Sequence, residues 1–258
     1  MERIAFSNPE SALQEFEGVF EPMRHHFDCW EIVSEREHRV IDIEKRLKKL
    51  LDAYKIKLQI HAPFVDINIA SPEERSRKRA IGEIANTIKV GSRLEVKVVT
   101  VHPGHFSPPT PPERSLELCK ESLEDIGRTG EELGIKIALE NMGRGGYSMI
   151  HTPGELAEMI EDTSLGFCFD VGHANFTGGW KQWVNNKELM SRLTNLHLHD
   201  NNGEIDEHMT IGEGNLDFEA LLSHLRFYCG TGVIEARSLE SAVLSKKRLK
   251  ELMNAISQ

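Results

Sequence analysis

The chain has 258 residues, with 31 basic against 41 acidic side chains and a net charge of −10. Hydrophobic residues make up 39% and charged ones 28%, enough to bury a sizeable core, so whole-chain disorder is excluded. The acidic balance excludes a basic protein that coats nucleic acid, though not a nucleic-acid enzyme whose carboxylates are neutralised by bound metal.

Cys29, Cys119, Cys168 and Cys229 form no CxxC pair and no disulfide-framework spacing, which points to a reducing, cytoplasmic setting. The opening MERIAFSNPE lacks a basic-then-apolar leader pattern. No apolar run approaches the ~18–20 residues of a membrane span.

In chain order, strands are expected at 2–7, 28–34, 57–62, 95–102, 135–140, 165–171, 193–199 and 231–236. Several are near-continuous apolar runs, as parallel strands covered on both faces require. Helices are expected between and after them, near 10–22, 42–53, 72–91, 113–133, 153–161, 180–190, 217–227 and 239–255. Ser71-Pro72-Glu73-Glu74 and Thr152-Pro153-Gly154-Glu155 read as helix starts: a capping hydroxyl, proline at the first helical position, then acid. Leu133-Gly134 reads as a helix end. Eight strand–helix units with no linker between them predict an α/β fold, a single (β/α)₈ barrel domain spanning 1–258.

In such a barrel the catalytic face lies at the C-terminal strand ends. His61 ends the third strand, His102 the fourth, Glu140 the fifth and Asp170 the sixth, with His173 just beyond. His197 and His199 end the seventh, followed by Asp206 and His208 in a long loop, and Glu235 ends the eighth. A lone strand-end histidine is more often a packing residue than a ligand. A set is different. Glu140, Asp170, Asp206 and Glu235 would repel one another if crowded unpaired, and no matching Lys or Arg stands at the strand ends. Divalent cations are the natural counter-charge, and imidazole with carboxylate suits zinc. His199 shares the inward parity of His197 but sits nearer the rim, so it reads as a substrate contact, as does His105 after His102-Pro103-Gly104. Asp200 could orient a ligand. Phe64-Val65 could form an apolar wedge or pack against a helix.

The segments LQIHAPF, VTVHPG, IALEN, FCFDVGHA, HLHD with IDEHMTIGEGN, and VIEA resemble, in order, those of the endonuclease IV (AP endonuclease family 2) branch of the xylose-isomerase-like barrels. The likeness runs from about residue 57 to 236. It implies a hydrolase with up to three zinc ions that cleaves phosphodiesters, with DNA at abasic sites as substrate. It assigns His61, His102 and Glu140 to one ion. Glu140 would bridge to a second with Asp170, His197 and Glu235, and His173, Asp206 and His208 would hold the third. The first strand, RIAFSNP, departs from that branch in lacking its histidine-bearing opening.

The same superfamily contains sugar isomerases and epimerases that hold one divalent ion such as Mn or Mg on the equivalents of Glu140, Asp170, His197 and Glu235. There the two glutamates shuttle the proton of a small sugar-like hydroxy-ketone. That alternative makes Glu140 and Glu235 the catalytic pair; the hydrolase reading adds Asp170 to them. No arginine follows His197 in the stretch through Glu204, where the isomerase branch often has one. No membrane contact is expected, and the chain is expected to be a monomer or small homo-oligomer.

Overall fold

The computed structural model describes residues 1–256. Eight parallel strands close into a barrel in chain order: β1 Arg3–Ser7, β2 Cys29–Val33, β3 Lys57–His61, β4 Val98–Val101, β5 Lys136–Glu140, β6 Gly166–Asp170, β7 Leu193–Leu198 and β8 Thr231–Glu235. β1 meets β8 in register from Arg3↔Thr231 to Ser7↔Glu235, which shuts the ring. The expected fold is borne out, with strand ends shifted by one to three residues. His102 and His199 lie just past their strands rather than within them.

Strand alternation explains why these segments are buried on both faces. In β2, Trp30 and Ile32 point outward into the main apolar core, while Cys29 and Glu31 point inward. The outward faces are covered by helices with matching apolar stripes. Among them are α1 (Phe16–Met23), α2 (Val40–Tyr54), α3 (Glu74–Arg93) and α4 (Pro112–Leu133). α2 buries Val40, Ile43, Leu47 and Leu51, the spacing of one helical face. α4 approaches β5 so closely that a Cβ on Gly130 would overlap Ile137 and the Ile135 carbonyl. It ends as expected at Gly134, whose φ of 66° is the left-handed cap.

The later helices are α5 (Pro153–Ile160), α6 (Val171–Phe176), α7 (Lys181–Val184), α8 (Lys187–Met190), α9 (Phe218–His224) and α10 (Leu239–Ile256). Thr152 and Glu155 form a reciprocal capping box at α5. Three expectations need correction. The first helix begins as a 3-10 turn at Pro9–Leu13 before α1. The helix expected at 180–190 is two single turns preceded by α6, because Asp170 caps a new helix directly at the end of β6. The cap of α3 is Glu73, whose carboxylate accepts from Arg75 and Ser76, and not Ser71. Cys29, Cys119 and Cys168 are buried, Cys229 is exposed, and all are free thiols. No helix among the described residues is long and apolar enough to cross a membrane.

Candidate metal centre

The inward-facing residues build the site in layers. Ala5, Cys29 and Val233 form a small apolar floor. Above them a polar layer comprises Glu31, Gln59, Thr100 and Asn195, all buried. Above that, at the C-terminal strand ends, stand His61, Glu140, Asp170, His197 and Glu235. The loops then add His102, His173, His199, Asp206 and His208.

Glu140 lies at the middle. Its Oε2 is 3.3 Å from His61 Nε2 and 3.5 Å from His102 Nε2. Its Oε1 is 3.3 Å from His173 Nδ1 and 3.5 Å from His197 Nδ1. The two oxygens therefore face two different groups of imidazoles. On the second side, His197 Nδ1 is also 3.3 Å from Glu235 Oε1 and 3.7 Å from Asp170 Oδ2. Toward the rim, Asp206 Oδ2 is 3.0 Å from His208 Nε2 and 3.5 Å from His173 Nε2. All nine residues expected as ligands are thus brought together.

In His61 and His173 the Nδ1 atom is taken up by a backbone carbonyl. His61 Nδ1 donates to the Ala62 carbonyl at 2.8 Å, which turns Nε2 toward Glu140 Oε2 at 3.3 Å. His173 Nδ1 donates to the Asn141 carbonyl at 2.9 Å, which leaves Nε2 toward Asp206. Three buried atoms in the cluster, His197 Nδ1, His199 Nδ1 and Asp206 Oδ1, have no hydrogen-bond partner. Orphaned buried polar atoms that converge on a cluster of N and O donors fit divalent metal. Groups of potential ligand atoms lie close enough to share an ion at His61–His102–Glu140 and at Glu140–Asp170–His173.

His199, Asp206 and His208 also fall within such a distance. The rings of His199 and His208, however, are parallel within 4° at 4.1 Å. An imidazole lone pair lies in the ring plane, so two stacked rings cannot both aim at one ion. His199 instead sets its Nε2 at 3.1 Å from Asp170 Oδ1. Its ring is fully buried and abuts Gly172, where a Cβ would overlap it. His199 thus contacts Asp170 and stacks on His208, while its Nδ1 is buried without a hydrogen-bond partner.

His105 is exposed in the loop after β4 and bridges to Ser148. With Phe64 and His102 it lines a side cavity of about 200 Å³. Phe64 packs its edge on His61 at 5.2 Å and its face on His102 at 4.7 Å, so it covers two ligands. Val65 stays exposed beside it. Asp200 orients a loop and not a ligand: its carboxylate accepts from the backbone of Gly212, Gly214 and Leu216, folding the segment that carries Asp206 and His208.

Burial pushes the Glu140 carboxyl up, yet the imidazoles of His197 and His102 hold it well below the usual carboxylate range. Glu235 moves the other way, raised by burial and by the charges of Glu140 and Asp170. Burial lowers His208, but its bond to Asp206 and the charge of Glu235 push it up to about 9.

Glu31 is the residue that sequence reading missed. It is a fully buried carboxylate in the otherwise apolar CWEIV strand, 2.8 Å from His197 Nε2 across the barrel. Its inward parity, with no basic neighbour, was the available signal.

Comparison with known proteins bears on what this cluster belongs to. An uncharacterized protein of Methanocaldococcus jannaschii is 37% identical over 264 residues, which cover 97% of this chain and 87% of that one. A probable endonuclease 4 of Mycobacterium leprae is 26% identical over 212 residues, covering 77% and 81%. The crystal structure of a D-tagatose 3-epimerase-like protein superposes with a TM-score of 0.92 at 35% identity, covering 98% of each chain. The profile of the family described as xylose isomerase-like TIM barrel matches residues 23–254. The chain belongs to the xylose isomerase-like TIM barrel family.

Proposed function

We propose that the protein is a metal-dependent phosphodiester hydrolase of the endonuclease IV kind, with a centre of up to three zinc ions. One observation carries this reading. Glu140 presents its two oxygens to separate imidazoles, Oε2 to Nε2 of His61 and His102, Oε1 to Nδ1 of His197. A carboxylate so placed could bridge two ions, which would give the His61–His102 pair a ligand role beside its contacts with Glu140. Ions held there would supply Lewis acidity toward the attacking and leaving oxygens. The chain's own residues do the rest. His61, His102 and Glu140 would hold one ion, and Asp170, His197 and Glu235 with Glu140 a second. His173, Asp206 and His208 would hold a third at the open rim. Glu140, Asp170 and Glu235 keep their charges aimed inward, and Phe64 excludes water from His61 and His102. An abasic-site duplex is the substrate to test. The protein loaded with zinc is expected to nick it, and the same preparation treated with chelator is not.

A second reading, epimerisation or isomerisation of a small hydroxy-ketone on one divalent ion, is favoured by two observations. The loops at this mouth carry Arg36, Arg39, Arg144 and Arg237 as their only Lys or Arg side chains, while the β7 loop alone holds six carboxylates. Arg39 is taken up by Asp42 and Glu83. Such a rim attracts a polyanion poorly and suits a neutral sugar. Glu140 and Glu235, pushed in opposite directions, also have the character of a base and an acid. Turnover of a ketohexose without cleavage of the duplex would select this reading. The free thiols support a reducing, cytoplasmic location for either activity.

A further inference from the structure

We propose that Glu31 is the positioning residue of the metal centre: it fixes His197 as the Nε2–H tautomer and so keeps Nδ1 free to bind an ion. The inference rests on the metal-centre reading, in either of its two chemistries.

The geometry is closed on every side. His197 Nε2 lies 2.8 Å from Glu31 Oε1. The other carboxylate oxygen, Oε2, accepts from Asn195 Nδ2 at 2.7 Å and from Gln59 Nε2 at 3.2 Å. Asn195 Nδ2 also lies 3.2 Å from His197 Nε2, which could make that nitrogen an acceptor instead. Its two protons are already engaged, however, one by Glu31 and the other by Thr100 Oγ1 at 2.9 Å. His197 Nε2 therefore carries a proton and donates it to Glu31. The ring's remaining nitrogen, Nδ1, is buried, has no hydrogen-bond partner, and faces Glu140, Asp170 and Glu235. Gln59 donates again to Asn195 Oδ1 at 3.0 Å, which locks the amide that holds the carboxylate.

A carboxylate that fixes a ligating imidazole by its far nitrogen orients the ring and raises its basicity. What is particular here is its source. The carboxylate comes from the second strand, across the barrel from His197, and its partners come from the third and seventh. The polar layer beneath the centre is thus a device that sets one tautomer, and its burial is its purpose.

The substitution Glu31→Gln separates this role from simple packing, because it keeps the side chain's shape. A glutamine amide must place its NH₂ either against Asn195 and Gln59, two donors, or against His197 Nε2, one donor. The second costs less, and it is relieved when the ring moves its proton to Nδ1. That puts an N–H where the ion belongs.

The test uses the full chain labelled with ¹⁵N-histidine, and zinc itself as the probe. In the zinc-loaded parent, the ring ¹⁵N shifts of His197 are expected to show a protonated Nε2 and a metal-bound, proton-free Nδ1. In Glu31→Gln they are expected to move toward Nδ1–H, with zinc affinity at one site lowered about 10- to 100-fold in competition with a chelator. A His197 ring with no proton on Nε2 in the zinc-loaded parent overturns the proposal without any variant being needed. So does a variant with unchanged tautomer and unchanged affinity. A parent that takes up no zinc overturns the metal centre itself, an outcome distinct from a parent that binds zinc and a variant that binds it equally well.

Discussion

Replacing Gly172 by alanine probes whether His199 is held where the fold puts it. Gly172 lies in the first turn of α6 with an ordinary φ, so alanine alone adds about 0.5–1 kcal/mol of helix stability. The new Cβ would overlap the His199 ring at Cε1, Nδ1 and Nε2. The ring has nowhere to retreat: it is fully buried, stacks on His208 at 4.1 Å, and bonds to Asp170. Overpacking of this kind costs about 1–3 kcal/mol. Loss of the bond to the Asp170 carboxylate adds about 1.5–3 kcal/mol. The net expectation is a destabilisation of about 2–5 kcal/mol, or a fall in Tm of roughly 4–20 °C for a chain of this size. Thermal melts of the metal-free protein followed by circular dichroism would read it. In a His199→Ala background the ring is gone, so the same glycine change should cost less than about 1 kcal/mol. A Gly172→Ala protein that melts within about 2 °C of the parent would refute the packing of His199 described here.

Three further outcomes are expected. Glu140→Gln should fold and lose about 10²-fold or more of its turnover under either chemistry, since one reading loses a bridging ligand and the other a base; unchanged turnover contradicts both. Asp206→Ala with His208→Ala should release about one zinc per chain and abolish phosphodiester cleavage while Glu140, Asp170, His197 and Glu235 keep theirs; a full complement of ions contradicts the third site. The fold raises His208 from 6.5 to about 9, so its contribution is fully present below pH 6.5 and is lost as pH rises through about 9. Denaturant unfolding of the metal-free protein across that window should show stability falling by at most on the order of 3 kcal/mol. A flat or rising profile contradicts the Asp206–His208 pairing.

The barrel and the ring of candidate ligands were legible because both depend on short-range regularities. Apolar runs of strand length alternate with helical patterns, and a strand's parity decides which residues at its end face inward. His61, Glu140, Asp170, His197 and Glu235 could be placed on one mouth by that rule alone. What stayed hidden depends on contacts across the barrel. Glu31 stands in an apolar strand, and its meaning lies in His197, Asn195 and Gln59, which are far from it in the chain. His199 has the parity expected of it, but Gly172 and His208 close over it from two later segments. Asp200 looked like a ligand's partner and holds instead the loop that delivers Asp206 and His208, because that loop doubles back to place three backbone N–H groups on it.

The bridging role of Glu140 is tested most directly by counting ions. Elemental analysis of protein purified without chelator is expected to find about three divalent ions per chain, falling to about one or none in Glu140→Gln. A parent that saturates at about one ion, with zinc-free His61 and His102, would contradict it.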